Sequence, residues 1–550
     1  MDMENKDILE NEEIIEEEQT VTAYDTIDAL YQTKPLFVIS KSDNAFAICA
    51  VIAGVLTVAL GIFGGLALGY LLSSILMGAL FAVYLPKRNK KCILSILCGV
   101  LGLECSLVFV LTTNLSVRFF GAVIGFLLAL VCFDGLVHGE ARGNRETVGI
   151  FYSAFSSIDN IGISLKSIFS NENGDKKSIG KVLIGVLCAV PVLIVVVPLL
   201  ISSDAAFKGM LSNIFSNTFS GIIKVILGVM ASVFVISYGL SLKVGRVAKL
   251  RQGDFAGVEN VYMISFLSAI SAAYVLYLFS QLAYFFSAFK GFLPNGKITY
   301  SQYARKGFFE MCVIAVINLI IVFLALLISK KQNGKVCHAI KAITTFISFF
   351  TLIIITTAIS KMVLYINRYG MTVLRLTTSA FMVFLSIVFV SVILRIYINK
   401  INIVKTALIT AGCVILLLGT VNVNAVCAKY NYESYKSKRL KNIDINQLYE
   451  LGDEGIPYIV KLTCSDEEQT AKQAGKYLAE AYLYDYFDDM RNAEYFTLED
   501  LHKNQKNKGF ERFSIPKYKA YESLYEFIEE NSWFASVCKD YYESEDNMYF

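Results

Sequence analysis

Residues 45–85 read AFAICAVIAGVLTVALGIFGGLALGYLLSSILMGALFAVYL, an unbroken run with no charged side chain. A helix crosses the hydrocarbon core of a bilayer in about 20 residues. The run is too long for one crossing and suits two, and Gly61, Gly64 and Gly65 near its middle are where the chain would turn. The same length rule, carried outward from spans at 45–62 and 66–85, predicts further spans near 92–112, 115–136, 182–202, 221–241, 261–286, 308–329, 340–360, 377–397 and 404–425. The reading is an all-α polytopic transmembrane helical bundle of about eleven spans, with a small C-terminal α-helical extramembrane domain.

Composition agrees. Of 550 residues, 55% are apolar and 18% charged, with a mean hydropathy of +0.54, against about 25% charged in soluble domains. The net charge of +3 hides a strong pattern. Between Asp2 and Asp28 stand eleven acids and one base, Lys6, which suits a disordered interaction tail over 1–43. Those opening residues hold no apolar core of a secretory signal. Nothing basic enough for nucleic acid occurs.

Basic residues set the orientation. With two spans in 45–85 and the N-terminus inside, the cytoplasmic loops hold 21 Lys and Arg and the opposite loops hold 8. The expectation is therefore an odd number of spans, a cytoplasmic N-terminus and an outside C-terminal region. Reading 45–85 as one tilted helix would reverse everything after it. Boundaries follow at 44–427 for the membrane region and 428–550 for the C-terminal domain. There, Leu448–Leu462, Thr470–Phe487 and Tyr518–Glu530 read as amphipathic helices, with Asp453 and Pro457 marking a turn and a helix start.

The cytoplasmic connection 137–181 places Phe151, Phe155, Ile158, Ile161, Leu165 and Phe169 at three- and four-residue steps, a helical apolar stripe. Two readings stay open: a helix lying on the membrane surface, or a short helix packed under the bundle.

Several phrases recur in a known order: Ser202–Phe207 (SSDAAF), Tyr303–Glu310 (YARKGFFE), Leu364-Tyr365 with Tyr369–Thr372 (YGMT) and Arg375, Asn422–Ala425 (NVNA) with Ala428–Asn431 (AKYN), and Phe510–Ser514 (FERFS). Over roughly residues 180–515 they resemble a bacterial polytopic membrane family catalogued as domain of unknown function 4173. That family often has arginine where Lys306 and Lys361 stand, and aspartate at Val423-Asn424. The resemblance implies a membrane fold, a bacterial plasma membrane and no particular reaction.

Candidate residues divide into two groups. Lys361, Arg368 and Arg375 stand seven apart, and on one helix they would share a face beside Tyr365 and Thr372. With Arg305 and Glu310 they would ring an outward-facing electropositive vestibule, and arginine suits planar anions. Ordinary snorkelling at the interface explains the same cations, and Gly370 would break the stripe. Inside spans stand Glu104, which Arg118 could reach, and Gln281 and Asn318. A carboxylate in lipid marks a coupling acid or a structural pair, whereas the amides suit interhelical hydrogen bonds. Gly121 and Gly125, four apart, permit close helix contact.

The twelve cysteines form no CxxC, and no zinc spacing, P-loop, HExxH or GxSxG occurs. No metal or cofactor is expected, and whether Cys464 and Cys538 pair stays open. The leading expectation is transport or handling of an anionic small molecule or lipid. The alternative is a sensor or accessory protein whose outer helical domain binds an envelope partner. A membrane transferase comes third, with only Glu310 and Asp204 as outer carboxylates. In each reading the bilayer is the first partner, and the oligomeric state stays unknown.

Overall fold

The computed structural model describes residues 40–63, 66–86, 93–139, 144–164, 217–244, 258–290, 308–330, 336–398, 401–481 and 513–531. Its helices are α1 (Lys41–Leu56, continued by a π-helical stretch Thr57–Ile62), α2 (Leu68–Tyr84), α3 (Ile93–Leu111), α4 (Leu115–His138), α5 (Asn144–Ser156), α6 (Asn217–Val244), α7 (Asn260–Lys290), α8 (Phe308–Ile328), α9 (His338–Tyr369), α10 (Val373–Tyr397) and α11 (Ile403–Val421). There follow α12 (Val423–Lys436), α13 (Ile445–Tyr449), α14 (Ile456–Thr463), α15 (Glu468–Ala481) and α16 (Ile515–Glu530). The fold is all-α and polytopic. Among the described residues nine helices, α1 to α11 without α2 and α5, are long and apolar enough to cross a membrane. Helix α2 is equally apolar but one residue short of that length. The expected span at 182–202 and the acidic tail to residue 39 lie outside the described residues.

The long apolar run does divide into two helices, with Leu66 in a left-handed conformation (φ 50°) between them. Phe46 stacks on Tyr84 at 3.7 Å near one end, and Gly61 faces Ser73 near the other.

One compact unit comprises residues 1–55, 80–87 and 152–249. Here α1 and α6 meet at glycine. A Cβ on Gly228 would lie 2.4 Å from the Val55 Cα, and one on Gly54 would lie 2.6 Å from the Gly228 carbonyl oxygen. Such contact between backbones is how apolar helices associate in lipid, where dispersion replaces the hydrophobic effect.

The second unit comprises residues 56–79, 88–151 and 250–550. Helices α3 and α4 form a hairpin closed at glycine, since a Cβ on Gly102 would stand 3.0 Å from the Gly125 carbonyl oxygen. Helix α11 packs on both through Gly412, against Leu101 and Leu128, and Gly419, against Val108. Helices α7 to α10 enclose two apolar cores. One centres on Phe308, Phe350, Met382 and Phe389, the other on Leu267, Val322, Ile340 and Ile347. Antiparallel order gathers the α3–α4 turn, the α9–α10 turn, the C-terminal end of α11 and α12 at one membrane end.

At that end, α13 to α16 pack around Leu448, Ile459, Leu462, Leu478 and Leu524, each almost wholly buried. The stretch 448–462 is two helices here, divided where Asp453 and Pro457 mark the turn and the helix start. Gly452 takes φ +68°, and a Cβ on Gly455 would fall 1.9 Å from the Leu448 carbonyl oxygen, so the chain turns before Pro457 opens α14. Helix α9 outruns its expected end by nine residues and carries Lys361, Tyr365 and Arg368 within it.

Candidate functional site

Among the described residues of the second unit, two turns at one end each gather several side-chain hydrogen bonds. The first joins α3 to α4. Three residues, Thr112, Thr113 and Asn114, must satisfy the last carbonyls of α3 and the first N–H groups of α4. Asn114 caps α4 by accepting from the Val117 N–H at 3.0 Å. Arg118, one turn further on, reaches back and donates to the carbonyls of Thr112 (2.7 Å) and Phe109 (2.9 Å). It thus closes the C-terminal end of α3, where a cation is favoured by the helix dipole. Glu104 is exposed on α3 and is not among these partners. The expected Glu104–Arg118 pair is therefore corrected: helix-end carbonyls nearer to Arg118 satisfy its donors.

The C-terminal part of the chain locks onto this turn. Asn422, left-handed at φ 54° between α11 and α12, donates to the Leu111 carbonyl at 2.9 Å. Asn424 accepts from Asn114 Nδ2 at 2.9 Å and donates to the Leu451 carbonyl at 3.1 Å. Glu454, 5% exposed, accepts from the Thr113 N–H (3.0 Å), the Thr113 hydroxyl, the Thr112 hydroxyl (3.3 Å) and Asn424 Nδ2 (3.5 Å). A buried carboxylate is stable only when its oxygens are this fully bonded. Arg118 lies within its electrostatic reach.

The second turn joins α9 to α10. Gly370 (φ +81°) ends α9, and Thr372 caps α10. The Asn431 side chain, from α12, pairs with both backbone polar groups of Met371. Arg375 donates to the Gly370 carbonyl at 2.5 Å and the Tyr369 carbonyl at 3.3 Å, and its guanidinium lies 4.2 Å over the Tyr365 ring. Beneath it, Cys427 is fully buried. Burial pushes its thiol up to about 12, against a smaller pull from Arg375.

The stripe Lys361, Arg368, Arg375 is consequently not one helical face. Gly370 ends the helix, and Arg375 belongs to the next one and folds back as a cap. Of the expected vestibule, Tyr365 and Arg375 do meet. Lys361 is 5% exposed on α9 with Glu310 within electrostatic reach, and Glu310 and Arg368 are exposed. Arg305 and the Gln281 side chain lie outside the described residues. Asn318 is an interhelical link: it donates to Thr351 Oγ1 at 2.9 Å and accepts from the Tyr274 hydroxyl at 2.5 Å, joining α7, α8 and α9.

Sequence reasoning missed Glu454, Thr112, Thr113 and Asn114 altogether. It quoted Asn422, Asn424 and Asn431 only as parts of phrases. It also missed Asp43 in the first unit, 3% exposed, which accepts from Tyr84 at 2.8 Å and from Lys243. A weak signal existed: short Asn- and Thr-rich runs at span ends are what buried helix termini need. Among the described residues, no three His, Cys, Asp or Glu side chains converge as a metal would require.

No curated protein and no solved structure matches the chain. The phrases from Ser202 to Asn431 lie inside the stretch that a family model does match, but that model is not domain of unknown function 4173, so the resemblance is corrected to a different family of unknown function. Residues 71–462, well over half of the chain, match the family described as Domain of unknown function (DUF4153), and the chain belongs to it.

Proposed function

We propose that this multi-pass protein is a membrane sensor or accessory protein of the bacterial plasma membrane, whose C-terminal helices bind an envelope partner and pass the load into the spans. The orientation follows from the basic-residue bias, which puts the α3–α4 turn, the α9–α10 turn and α12 to α16 outside. The observation that carries the reading is Glu454. A buried carboxylate bonded to the α3–α4 turn makes the C-terminal helices move with that turn. The Asn431–Met371 contact does the same for the α9–α10 turn.

The test uses a photo-crosslinking residue in place of Tyr518, which is 51% exposed on α16, on intact cells. Crosslinking to one discrete envelope component supports the reading. A C-terminal region shielded from an impermeant reagent, or crosslinks to lipid alone, overturns it.

A second reading, handling of an anionic small molecule or lipid, is favoured by one observation. Lys361 is a buried cation on a spanning helix, and intramembrane ionisable residues commonly mark a substrate path. Flux of organic or phosphate anions into proteoliposomes, abolished by Lys361→Gln and kept by Lys361→Arg, would move the conclusion to transport.

A further inference from the structure

Residues 152–164 bury the wrong side for a segment in water. The end of α5, a 3₁₀ turn at Ser157–Asn160 and one further helical turn run along α6 in the first unit. The face turned to α6 is polar: Ser153, Ser157 and Ser164 are each at most 5% exposed. Ser237 donates to the Ser157 carbonyl at 2.6 Å and lies 3.5 Å from the Ser164 hydroxyl, and Asn160 donates to Ser241 at 3.1 Å. The face turned away is apolar: Tyr152 52%, Phe155 64%, Ile158 48% and Ile163 39% exposed. An aqueous surface selects the opposite arrangement, because burying hydroxyls while wetting two aromatics and two isoleucines forgoes the hydrophobic term.

Depth says what covers that face. Ser237 and Ser241 stand seven and three residues before Val244, the end of α6, hence about 10 and 5 Å inside the end of a spanning helix at 1.5 Å per residue. Lys243 in the last turn, paired with Asp43, marks that end. An amphipathic helix in a membrane interface buries its apolar face about 5–10 Å into the headgroup and acyl boundary. Phe234, one turn before Ser237, is 50% exposed on the same spanning helix, so the apolar surface of the span reaches this level. Asp159, exposed on the 3₁₀ turn, sets the limit: its carboxylate must reach water, so the segment is shallow.

We propose that Tyr152, Phe155, Ile158 and Ile163 form a lipid-contacting face, seated at the headgroup and acyl boundary of the leaflet in which α6 ends.

The experiment places single cysteines at Phe155, at Ser153 and, as an aqueous control, at Glu468 in the cysteine-free full chain. Each is labelled with an environment-sensitive fluorophore in phosphatidylcholine vesicles, without and with lipid spin-labelled high on its acyl chain. Quenching by the lipid label at 155, at least three-fold above that at 153 and 468, is expected. Quenching at 155 by aqueous iodide instead, matching position 468, overturns the proposal because the face is then wet. Protection at 155 from both quenchers also overturns it, because the face is then covered by protein. If the Ser153 variant does not fold, Phe155 against Glu468 still decides.

Discussion

Asn431 holds Met371 at both of its backbone groups: Oδ1 accepts the Met371 N–H and Nδ2 donates to the Met371 carbonyl, each at 2.8 Å across sixty residues of sequence. The amide mimics one rung of a sheet and satisfies a turn that has no helical partner of its own. Asn431 is 4% exposed, so truncation leaves both groups unbonded without water. Asn431→Ala should lower stability by about 2–6 kcal/mol, taking about 1–3 kcal/mol for each of the two stranded groups. Gly370→Ala should act the same way, since its Cβ would lie 2.7 Å from Asn431 Oδ1 at a φ of +81°. Thermal unfolding in detergent checks both, and the double variant should lose less than the sum because the two share one contact.

Glu454 makes a sharper comparison, because its carboxylate accepts from four donors. Glu454→Gln keeps one acceptor oxygen but turns the other into a donor facing donors. Glu454→Ala removes both and opens a small void. Both variants should free the Thr113 amide to exchange with solvent, by about ten-fold or more for each 1.4 kcal/mol lost. Hydrogen exchange read by mass spectrometry should show faster uptake in 105–118 and 445–463 together. Faster uptake in only one of these segments would mean that Glu454 does not couple them.

These contacts explain what could and could not be read beforehand. The two-helix division of 45–85 was legible because bilayer thickness is a fixed ruler: a run about twice one span suits two crossings better than the one long tilted helix that is the alternative. Asn318 was legible because an amide inside lipid must find a polar partner. Glu454 was not, since in sequence it resembles any glutamate of an acidic stretch, and its partners lie some 340 residues earlier. Arg118 was noticed for another partner, because its place near the end of the neighbouring span suggests Glu104 while the end of α3 offers nearer carbonyls. The seven-residue stripe failed at Gly370, where a left-handed residue ends the helix that the periodicity assumed. The stripe from Phe151 to Phe169 has an apolar side that periodicity reveals, but periodicity does not say whether protein or lipid meets it.

In the first unit, Asp43 is 3% exposed and accepts from Lys243, Tyr84 and Ser40. Removing the cation alone strands a buried anion, which costs about 3–5 kcal/mol, whereas replacing both charges can be nearly neutral. Lys243→Met should therefore be much less stable than Asp43→Asn with Lys243→Met combined. Denaturation midpoints of the two variants in the same detergent decide it. Equal loss in both would mean that the pair contributes through packing against Tyr84, where Lys243 stands 5.1 Å from the ring centre, and not through charge.

Cys427 and Cys464 carry the last prediction. Cys464 is exposed at the end of α14, while Cys427 is buried on α12 with its thiol pushed up to about 12 by burial. The thiolate is the nucleophile, so a buried protonated thiol is inert. The sign follows from the raised value. Stability from keeping Cys427 neutral is fully present below the ordinary thiol value near 9 and is lost as pH rises from there toward 12. Maleimide at pH 7.5 should label Cys464 within minutes and leave Cys427 unmodified in the folded chain. Between pH 9 and 11, labelling of Cys427 should rise together with hydrogen exchange around Met371, because the same loosening exposes both. Fast labelling of Cys427 at pH 7.5 would show that α12 does not sit tightly under Arg375, and that the α9–α10 turn is held by Asn431 alone.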